Sequence, residues 1–371
     1  LSKLKKMIRL LKQAPYFLWG SLEYNFISKF KPLAPKEMII NLTYLCNSKC
    51  IMCNIWKNDG KGEMTVEEWQ KALKGPIFRN IKILTLSGGE PVIAKNFDQK
   101  DKVMLNGMPN LKKLNLITNG FAQDLVVKKV KFLLKLCEAR GIELTVSTSL
   151  DGVGEIHEEI RRIPDAFNKT YGTINRLKQL QQKHDFKMGS GAVLMKQTID
   201  QADEFKQWAE QKDINLNFQI VGFHKTFVNN MERKDELDFD QQQIKEKFLQ
   251  FLKEKSQPNF LYDFSSYYWA DMYFFYKNGT DRTTPCPFQK DQFVIDCQGK
   301  VFYCLSEPAI GSFRDGKTVS QVYYDPKNLK LRDKRTKTVC ASCNSGCNVN
   351  YAIAKDFKKY VWYRLTGKLL K

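Results

Sequence analysis

Three cysteines stand close together in the run Cys46-Asn-Ser-Lys-Cys50-Ile-Met-Cys53. Thiolates with this Cys-x3-Cys-x2-Cys spacing can converge on one iron–sulfur cube, which takes four thiolates when protein alone ligates it. No fourth cysteine and no histidine lies nearby in the chain, so one iron would keep an open position. An open position is typical of a catalytic rather than a structural metal centre. A zinc knuckle is the alternative interpretation of these residues.

A glycine-rich turn follows the second apolar run of the chain, in the order Ser87-Gly88-Gly89-Glu90-Pro91. Two adjacent glycines permit a close approach of the backbone to another group. Their carbonyl oxygens can accept hydrogen bonds from an ammonium group, and the Glu90 carboxylate can act as its counter-charge. Without the cysteines, the same turn would be read as an ordinary connection from a strand to a helix.

Together, the three-cysteine loop and the Gly-Gly-Glu turn resemble the radical S-adenosylmethionine (SAM) superfamily, over about residues 37–225. The resemblance implies that SAM chelates the open iron of a [4Fe–4S] cluster through its amino and carboxylate groups. An electron from the reduced cluster then breaks the sulfonium bond and gives methionine and a 5′-deoxyadenosyl radical. An aromatic residue often precedes the third cysteine in this superfamily. Here Met52 stands in that place and is expected to pack on adenine.

The resemblance also implies SAM contacts at the ends of later strands. Thr118-Asn119-Gly120 ends the third strand and Ser149-Leu150-Asp151-Gly152 ends the fourth, although each can be simple turn chemistry. Arg161 resembles a carboxylate-binding arginine of the peptide-modifying relatives, and a surface helix arginine is its alternative interpretation. The expected cofactor-binding residues are Met52, Ser87, Gly88, Gly89, Glu90, Asn119, Ser149, Asp151 and Arg161.

A second cysteine zone begins at Cys286 and resembles the SPASM/twitch appendage, which carries auxiliary [4Fe–4S] clusters. Cys286 and Cys304 enclose Gly299 with the spacing Cys-x12-Gly-x4-Cys. A hairpin that turns at 298–300 is expected to bring the two cysteines towards each other. The six cysteines of this zone are too few for two fully ligated cubes. We therefore predict one auxiliary cluster, held by Cys286, Cys304, Cys340 and Cys343, with Cys347 as the substitute.

The remaining cysteines are interpreted as packing residues. Cys297 belongs to the predicted hairpin, and Cys137 lies on an apolar helical pattern, where a buried thiol behaves as a small apolar side chain. A structural zinc site is the alternative to the auxiliary cluster.

Strand-like and helical runs alternate six times in the first two thirds of the chain, which predicts a parallel sheet in an α/β fold. We expect a partial (β/α)6 TIM-like barrel with its chemistry at the carboxyl ends of the strands, followed by a small Cys-rich domain. The predicted segments are a basic amphipathic extension (1–36), the barrel (37–230), a helical aromatic linker (231–284), a twitch/SPASM-like domain (285–350) and a basic tail (351–371).

The net charge of +20 is concentrated in residues 1–36 and 355–371. Because aromatic residues are interleaved with these lysines, peripheral membrane contact is expected; the alternative interpretation is that these segments pack on the barrel and expose their lysines to solvent. Nucleic acid is not expected as a partner, since no nucleic-acid module is recognisable. The chain has neither a signal peptide nor a membrane-spanning run, so a cytoplasmic protein that contacts the inner membrane surface is predicted.

The substrate is the least constrained part of the prediction. The residues before the first strand are too few for a winged-helix domain that captures leader peptides, so a carbohydrate-like or lipid-linked small substrate is expected, to be oxidised or rearranged. One alternative is a peptide-modifying or protein-modifying SPASM maturase. The other is a non-catalytic iron–sulfur or zinc protein. A flavodoxin or ferredoxin is expected as the electron donor.

Overall fold

The structure, a computed structural model, describes residues 18–257, 263–346, 349–355 and 357–369. The chain forms two compact units. The first, called here the sheet unit, comprises Pro35–Ile244 and Gln292–Asn328; the second, the helical unit, comprises the described parts of Leu1–Ala34, Lys245–Asp291 and Leu329–Lys371. The five predicted segments divide the chain at other positions and stay a prediction about sequence modules.

The sheet unit is built on a nine-stranded sheet in the order β6-β5-β4-β3-β2-β1-β7-β8-β9. The first six strands are parallel, as predicted, and β7 joins β1 in parallel, whereas β8 and β9 continue antiparallel. The strands are β1 Glu37–Thr43, β2 Ile83–Gly88, β3 Lys113–Thr118, β4 Glu143–Ser149, β5 Lys187–Leu194, β6 Leu216–Ile220, β7 Gln292–Ile295, β8 Lys300–Phe302 and β9 Gly311–Ser312.

Helices connect the parallel strands, which confirms the α/β class with a TIM-like arrangement of strands. They are α1 Val66–Ala72, α2 Phe97–Gly107, α3 Gln123–Glu138, α4 Glu155–Arg161, α5 Ala166–Gln181 and α6 Ala202–Gln211. Helix α1 begins at a capping box, because Thr65 Oγ1 accepts from the Glu68 N–H at 3.2 Å and the Glu68 carboxylate accepts from the Thr65 N–H at 2.8 Å. Two further helices, Lys234–Leu237 and Val319–Tyr323, lie later in the unit.

The two faces of the sheet differ in polarity. In β4, Leu144 and Val146 are buried, while Ser147 and Ser149 on the other face remain partly exposed. Across the register, Ser147 pairs with Gly189 and Ser149 with Gly191. A Cβ atom built at Gly191 would meet no atom within 4 Å. This face, called here the open face, therefore offers room and hydroxyl groups rather than a packed core.

The helical unit contains the helices Phe264–Asn278, Val349–Lys355 and Phe357–Thr366, while Gln242–Lys255 and Pro326–Thr338 cross its borders in the chain. Its core is aromatic: Phe264 and Tyr360 have ring centroids 4.8 Å apart, and Tyr267 and Tyr363 5.3 Å. No helix in the described ranges is both long and apolar enough to cross a membrane.

Candidate functional site

Residues 44–54, called here the cluster loop, leave β1 and carry the three cysteines. The start of the loop is bonded to the turn after β2, because the Gly89 N–H donates to Thr43 O and the Glu90 N–H to Leu45 O, each at 2.8 Å. A Cβ atom at Gly89 would lie 2.1 Å from Leu45 O, and one at Gly88 2.4 Å from Thr43 O. Glycine is therefore required here so that two backbone segments can touch.

The middle of the cluster loop is docked on the carboxyl end of α4. The Lys49 N–H donates to Arg161 O at 3.1 Å, and the Ile51 N–H donates to Ile160 O at 2.9 Å. These carbonyl groups have no partner within their own helix, so the loop satisfies them.

The end of the loop is held by the segment that follows β6. The Asn54 N–H donates to Val228 O at 2.7 Å. Asn230 is fully buried, and its Nδ2 donates to Met52 O at 2.9 Å and to Gly222 O at 3.0 Å. Sequence reasoning missed Asn230, which stands in a charged segment with no motif. Met52 itself is buried, and its predicted adenine contact stays a prediction.

The three thiols lie in different surroundings. Cys50 is buried, and its Sγ lies 3.0 Å from Ser48 Oγ and 3.4 Å from Arg161 Nη1. Cys46 and Cys53 are partly exposed at the surface, yet burial of the sulfur raises the pKa of each thiol to about 12. These thiols stay protonated on their own, and iron must displace the protons when it binds.

Glu90 and Asn119 join the turn after β2 to the end of β3. The buried Glu90 carboxylate accepts hydrogen bonds from the Asn119 N–H at 2.6 Å and the Val92 N–H at 3.4 Å. Desolvation by burial raises its pKa to about 7. Asn119 Nδ2 in turn donates to Asn47 Oδ1, in the cluster loop, at 2.6 Å. Sequence reasoning named Glu90 and Asn119 but missed Asn47.

Arg161 is buried, so the alternative interpretation as a surface arginine is wrong. Its Nη2 lies 2.6 Å from Asp151 Oδ2 in an ion pair with almost no solvent exposure. The other oxygen, Asp151 Oδ1, accepts from the Val193 N–H at 2.9 Å. Arg161 Nε is also buried but has no hydrogen-bond partner. It therefore leaves one donor available to a further acceptor.

His157 links the ends of β3 and β4 and was not among the predicted site residues. Its Nδ1 accepts from the Asp151 N–H at 3.1 Å, and its Nε2 lies 3.4 Å from Thr170 Oγ1. Since Thr170 Oγ1 donates to Asn119 O at 2.7 Å, the imidazole must carry its proton on Nε2. Desolvation lowers the His157 pKa to about 4, so the ring is neutral. Only its spacing of four residues from Arg161 could have signalled it.

Ser87 and Ser149, the other two predicted contacts, are partly exposed, and both come from the carboxyl ends of their strands. The structure thus brings most predicted contacts into one neighbourhood of hydrogen-bonded strand ends.

The residues present fit a [4Fe–4S] cluster better than a single metal ion. In the part of the chain that the structure describes, no three His, Cys, Asp or Glu side chains are grouped closely enough to hold one ion. The ligands of a cube need not converge on one point, because each thiolate binds a different iron. The cluster loop supplies three thiols, and the Ser48 hydroxyl and the Arg161 guanidinium lie within hydrogen-bond distance of the Cys50 sulfur. The unpartnered Arg161 Nε fits the carboxylate of a chelating ligand such as SAM.

The second cysteine zone is distributed over both units. Cys286, Cys340 and Cys343 belong to the helical unit and Cys304 to the sheet unit, directly after β8. Cys347 lies outside the described residues. The hairpin predicted at 298–300 is present as β7 and β8. The ligand set stays a prediction.

Arg282 organises the cysteine-bearing loops of the helical unit. Its backbone N–H donates to Ala341 O at 2.8 Å, and its Nη1 donates to Ser345 O at 2.7 Å and to Cys343 O at 3.3 Å. Its Nη2 also donates to Pro285 O, next to Cys286, at 3.3 Å. One partly buried guanidinium thus ties the Cys286 loop to the Cys343 loop.

Comparisons with known proteins agree with this site. Residues 40–209 match the family model described as "Radical SAM superfamily". A probable GTP 3′,8-cyclase of Methanocella arvoryzae is 34% identical over 82 residues, which are 22% of this chain and 25% of the relative. The sporulation killing factor maturation protein SkfB of Bacillus subtilis is 25% identical over 183 residues, 48% of this chain and 39% of the relative. This chain therefore spans well under half the length of these curated relatives.

Solved structures show a similar fold over most of the chain. Native anSMEcpe with bound AdoMet and Cp18Cys peptide has a TM-score of 0.56 and 21% identity, and the match covers 90% of this chain and 98% of that chain. Streptococcus suis SuiB bound to precursor peptide SuiA has a TM-score of 0.56 and 17% identity, covering 91% and 74%.

These relatives correct one prediction. SkfB is a maturation protein, and anSMEcpe and SuiB were solved with bound peptides, so the expectation of a carbohydrate-like, lipid-linked or other small-molecule substrate is wrong. That expectation was based on the shortness of the segment before β1, which does not determine how a peptide is bound elsewhere in the chain. The predicted membrane contact, which was based on the basic and aromatic termini, stays a prediction, and residues 1–17, which partly motivated it, lie outside the described residues.

Proposed function

We propose that this protein, whose residues 40–209 match the radical SAM superfamily, is a radical SAM enzyme that modifies a peptide. The observation that carries the proposal is the cluster loop, which is held at the carboxyl ends of the parallel strands by the Gly88-Gly89 turn, α4 and Asn230. When bound, the cluster and SAM supply a carbon radical that can remove a hydrogen atom from a substrate.

In this proposal the residues of the chain bind and orient the cluster and SAM. Cys46, Cys50 and Cys53 ligate the cluster. Asn119, Ser149 and Asp151 lie at or just beyond the ends of β3 and β4, where the ribose and carboxylate of SAM would be bound, and the buried Arg161 Nε donor supports a carboxylate contact. The glycine carbonyls, Ser87 and Met52 remain the proposed contacts to the ammonium group and to adenine.

The substrate class rests on the likeness to SkfB and agrees with the open face. On this face Ser149 of β4 pairs with Gly191 of β5, and Gly191 pairs with Asn217 of β6. Together with Ser147, these residues supply hydroxyl and amide groups. Such groups can pair with peptide N–H and C=O groups. The open space in front of Gly191 leaves room for a chain to approach.

We also propose that the second cysteine zone holds an auxiliary [4Fe–4S] cluster, with Cys286, Cys304, Cys340 and Cys343 as ligands and Cys347 as the substitute. Support comes from the spacing and from the clamp at Arg282, which fixes two of the cysteine-bearing loops.

The first experiment tests the catalyst. Anaerobically reconstituted protein is incubated with SAM and dithionite, and 5′-deoxyadenosine is measured. Cys50→Ala should abolish its formation, because a three-thiolate site that loses one ligand does not retain the cube. Cys137→Ala, which removes a buried thiol on α3, is the matched control and should keep wild-type turnover. Wild-type yield from Cys50→Ala would refute the assignment.

The second experiment tests the substrate class. Peptides encoded by short reading frames beside the gene are synthesised with deuterated side chains and incubated with the active enzyme. Transfer of deuterium to 5′-deoxyadenosine and a mass change of the peptide would support the proposal. Transfer only from small sugar-like alcohols, in parallel reactions, would show that the peptide assignment is wrong.

A further inference from the structure

Cys50 is distinguished from Cys53, whose sulfur accepts from the Ile55 N–H at 3.5 Å, by the side-chain groups around its sulfur. Ser48 Oγ lies 3.0 Å from Cys50 Sγ, and Arg161 Nη1 donates to the same sulfur at 3.4 Å, a normal length for a hydrogen bond to sulfur. Ser48 and Arg161 are buried with relative exposures of 1% and 7%. Water therefore does not compete for these contacts.

The Arg161 guanidinium is fixed from several directions. Asp151 Oδ2 lies 2.6 Å from Nη2, and Asp151 is itself held by the Val193 N–H and by His157 Nδ1. The Arg161 carbonyl oxygen accepts from the Lys49 N–H at 3.1 Å and from the Ser48 hydroxyl at 3.3 Å. A ligating Cys50 thiolate has no proton to donate, so the hydroxyl proton then turns to the nearer sulfur, 3.0 Å away. The same residue thus anchors the loop through its backbone and reaches the cysteine through its side chain.

Hydrogen bonds to a ligating sulfur change the redox properties of a cluster. They draw electron density away from the thiolate, which stabilises the more negatively charged, reduced state and raises the reduction potential. Arg161 adds a full positive charge in a buried site, where the effect of charge is weakly screened.

We propose that Arg161 and Ser48 are positioning residues that set the reduction potential of the SAM-cleaving cluster by donating hydrogen bonds to the Cys50 sulfur. This inference rests on the proposed cluster at the three cysteines and goes beyond the SAM carboxylate contact, which uses a different atom, Nε. Asp151 holds the guanidinium so that its Nη1 donates to Cys50 Sγ.

The test is a redox titration followed by electron paramagnetic resonance of the reduced cluster, in the absence of SAM so that SAM binding does not contribute. The reconstituted full chain carries Cys286→Ala, Cys340→Ala and Cys343→Ala, so that the signal comes from the SAM-cleaving cluster. On this background the variants are Arg161→Lys, Ser48→Ala and the control Arg162→Lys. Lysine keeps the charge, but its single ammonium cannot reach Asp151 and Cys50 with the fixed fork of arginine. Arg162 is the exposed neighbour.

Arg161→Lys and Ser48→Ala should each shift the midpoint potential to more negative values while the iron content stays unchanged, and Arg162→Lys should match the parent. Unchanged potentials in both variants, with full iron, would overturn the inference and leave the proposed function intact. Loss of iron from folded Arg161→Lys and Ser48→Ala proteins would also overturn it, since both residues would then only hold the loop. A parent protein that takes up no cluster would overturn the proposed function, and the inference with it.

Discussion

Gly89→Ala is expected to destabilise the fold and release the cluster loop. The new Cβ atom would lie 2.1 Å from Leu45 O and 2.6 Å from its carbonyl carbon, and both belong to backbone that cannot turn aside. The loop must move, which strains the hydrogen bonds from the Gly89 and Glu90 N–H groups, each 2.8 Å long. Each bond contributes about 1 kcal/mol, and overpacking costs about 1–3 kcal/mol. The free energy of unfolding should fall by about 3–5 kcal/mol.

The measurement is urea unfolding of the iron-free protein followed by tryptophan fluorescence, together with the iron content after reconstitution. Gly191→Ala is the matched control, because its Cβ meets no atom within 4 Å. Alanine is favoured over glycine in a strand by about 0.5–1 kcal/mol, so the control should be as stable as the wild type or slightly more stable. A Gly89→Ala protein within about 0.5 kcal/mol of the wild type that binds full iron would refute the reasoning.

Three further predictions concern other parts of the molecule. His157→Gln should reduce the loss of stability on acidification. Burial lowers the imidazole pKa from 6.5 to about 4, so the free energy of unfolding of the wild type should fall by roughly 3 kcal/mol between pH 6.5 and pH 4. Urea titrations of both proteins over this pH range would contradict the prediction if their stabilities had the same pH dependence. Iron analysis should give about eight irons per chain for two cubes. Replacement of Cys46, Cys50 and Cys53 by alanine should leave about half of that iron. Twelve irons per chain, or zinc in place of iron, would show that the ligand count is wrong. Arg282→Met should lose auxiliary iron while SAM cleavage persists, and retention of all iron would show that the clamp is not needed.

Much of the fold could be predicted from the sequence because the β/α alternation is regular. The third strand, which the sequence predicted to end at Thr118, is observed at Lys113–Thr118. After Cys286 the sequence predicted a hairpin in a small Cys-rich domain. The hairpin is present, but its first strand, β7, also adds to the main sheet beside β1. That pairing was not predictable, because a four-residue apolar run carries too weak a periodic signal to indicate its partner strand.

The site was predictable where chemistry requires a residue type at a fixed spacing, as for the cysteines. It was not predictable where distant segments return to the loop. Asn230 reaches Met52 O across 178 positions of the chain, and nothing in its neighbourhood in the sequence marks it. For the Gly-Gly pair, the sequence predicted a close approach of the backbone, but only the structure shows which backbone segment makes it; the predicted carbonyl contacts to a ligand stay a prediction.

The anchoring of the cluster loop separates folding from iron loading. In small metal-dependent domains the chain is unfolded until the metal arrives, so that metal binding and folding are one event. Here backbone bonds to α4, to the turn after β2 and to the segment after β6 hold the loop without any metal. Iron-starved cells should accordingly accumulate a folded apoprotein that resists proteolysis. Cluster delivery would then activate apoprotein that is already present in the cell. The rate at which enzyme activity recovers after starvation would therefore depend on iron supply and not on new protein synthesis.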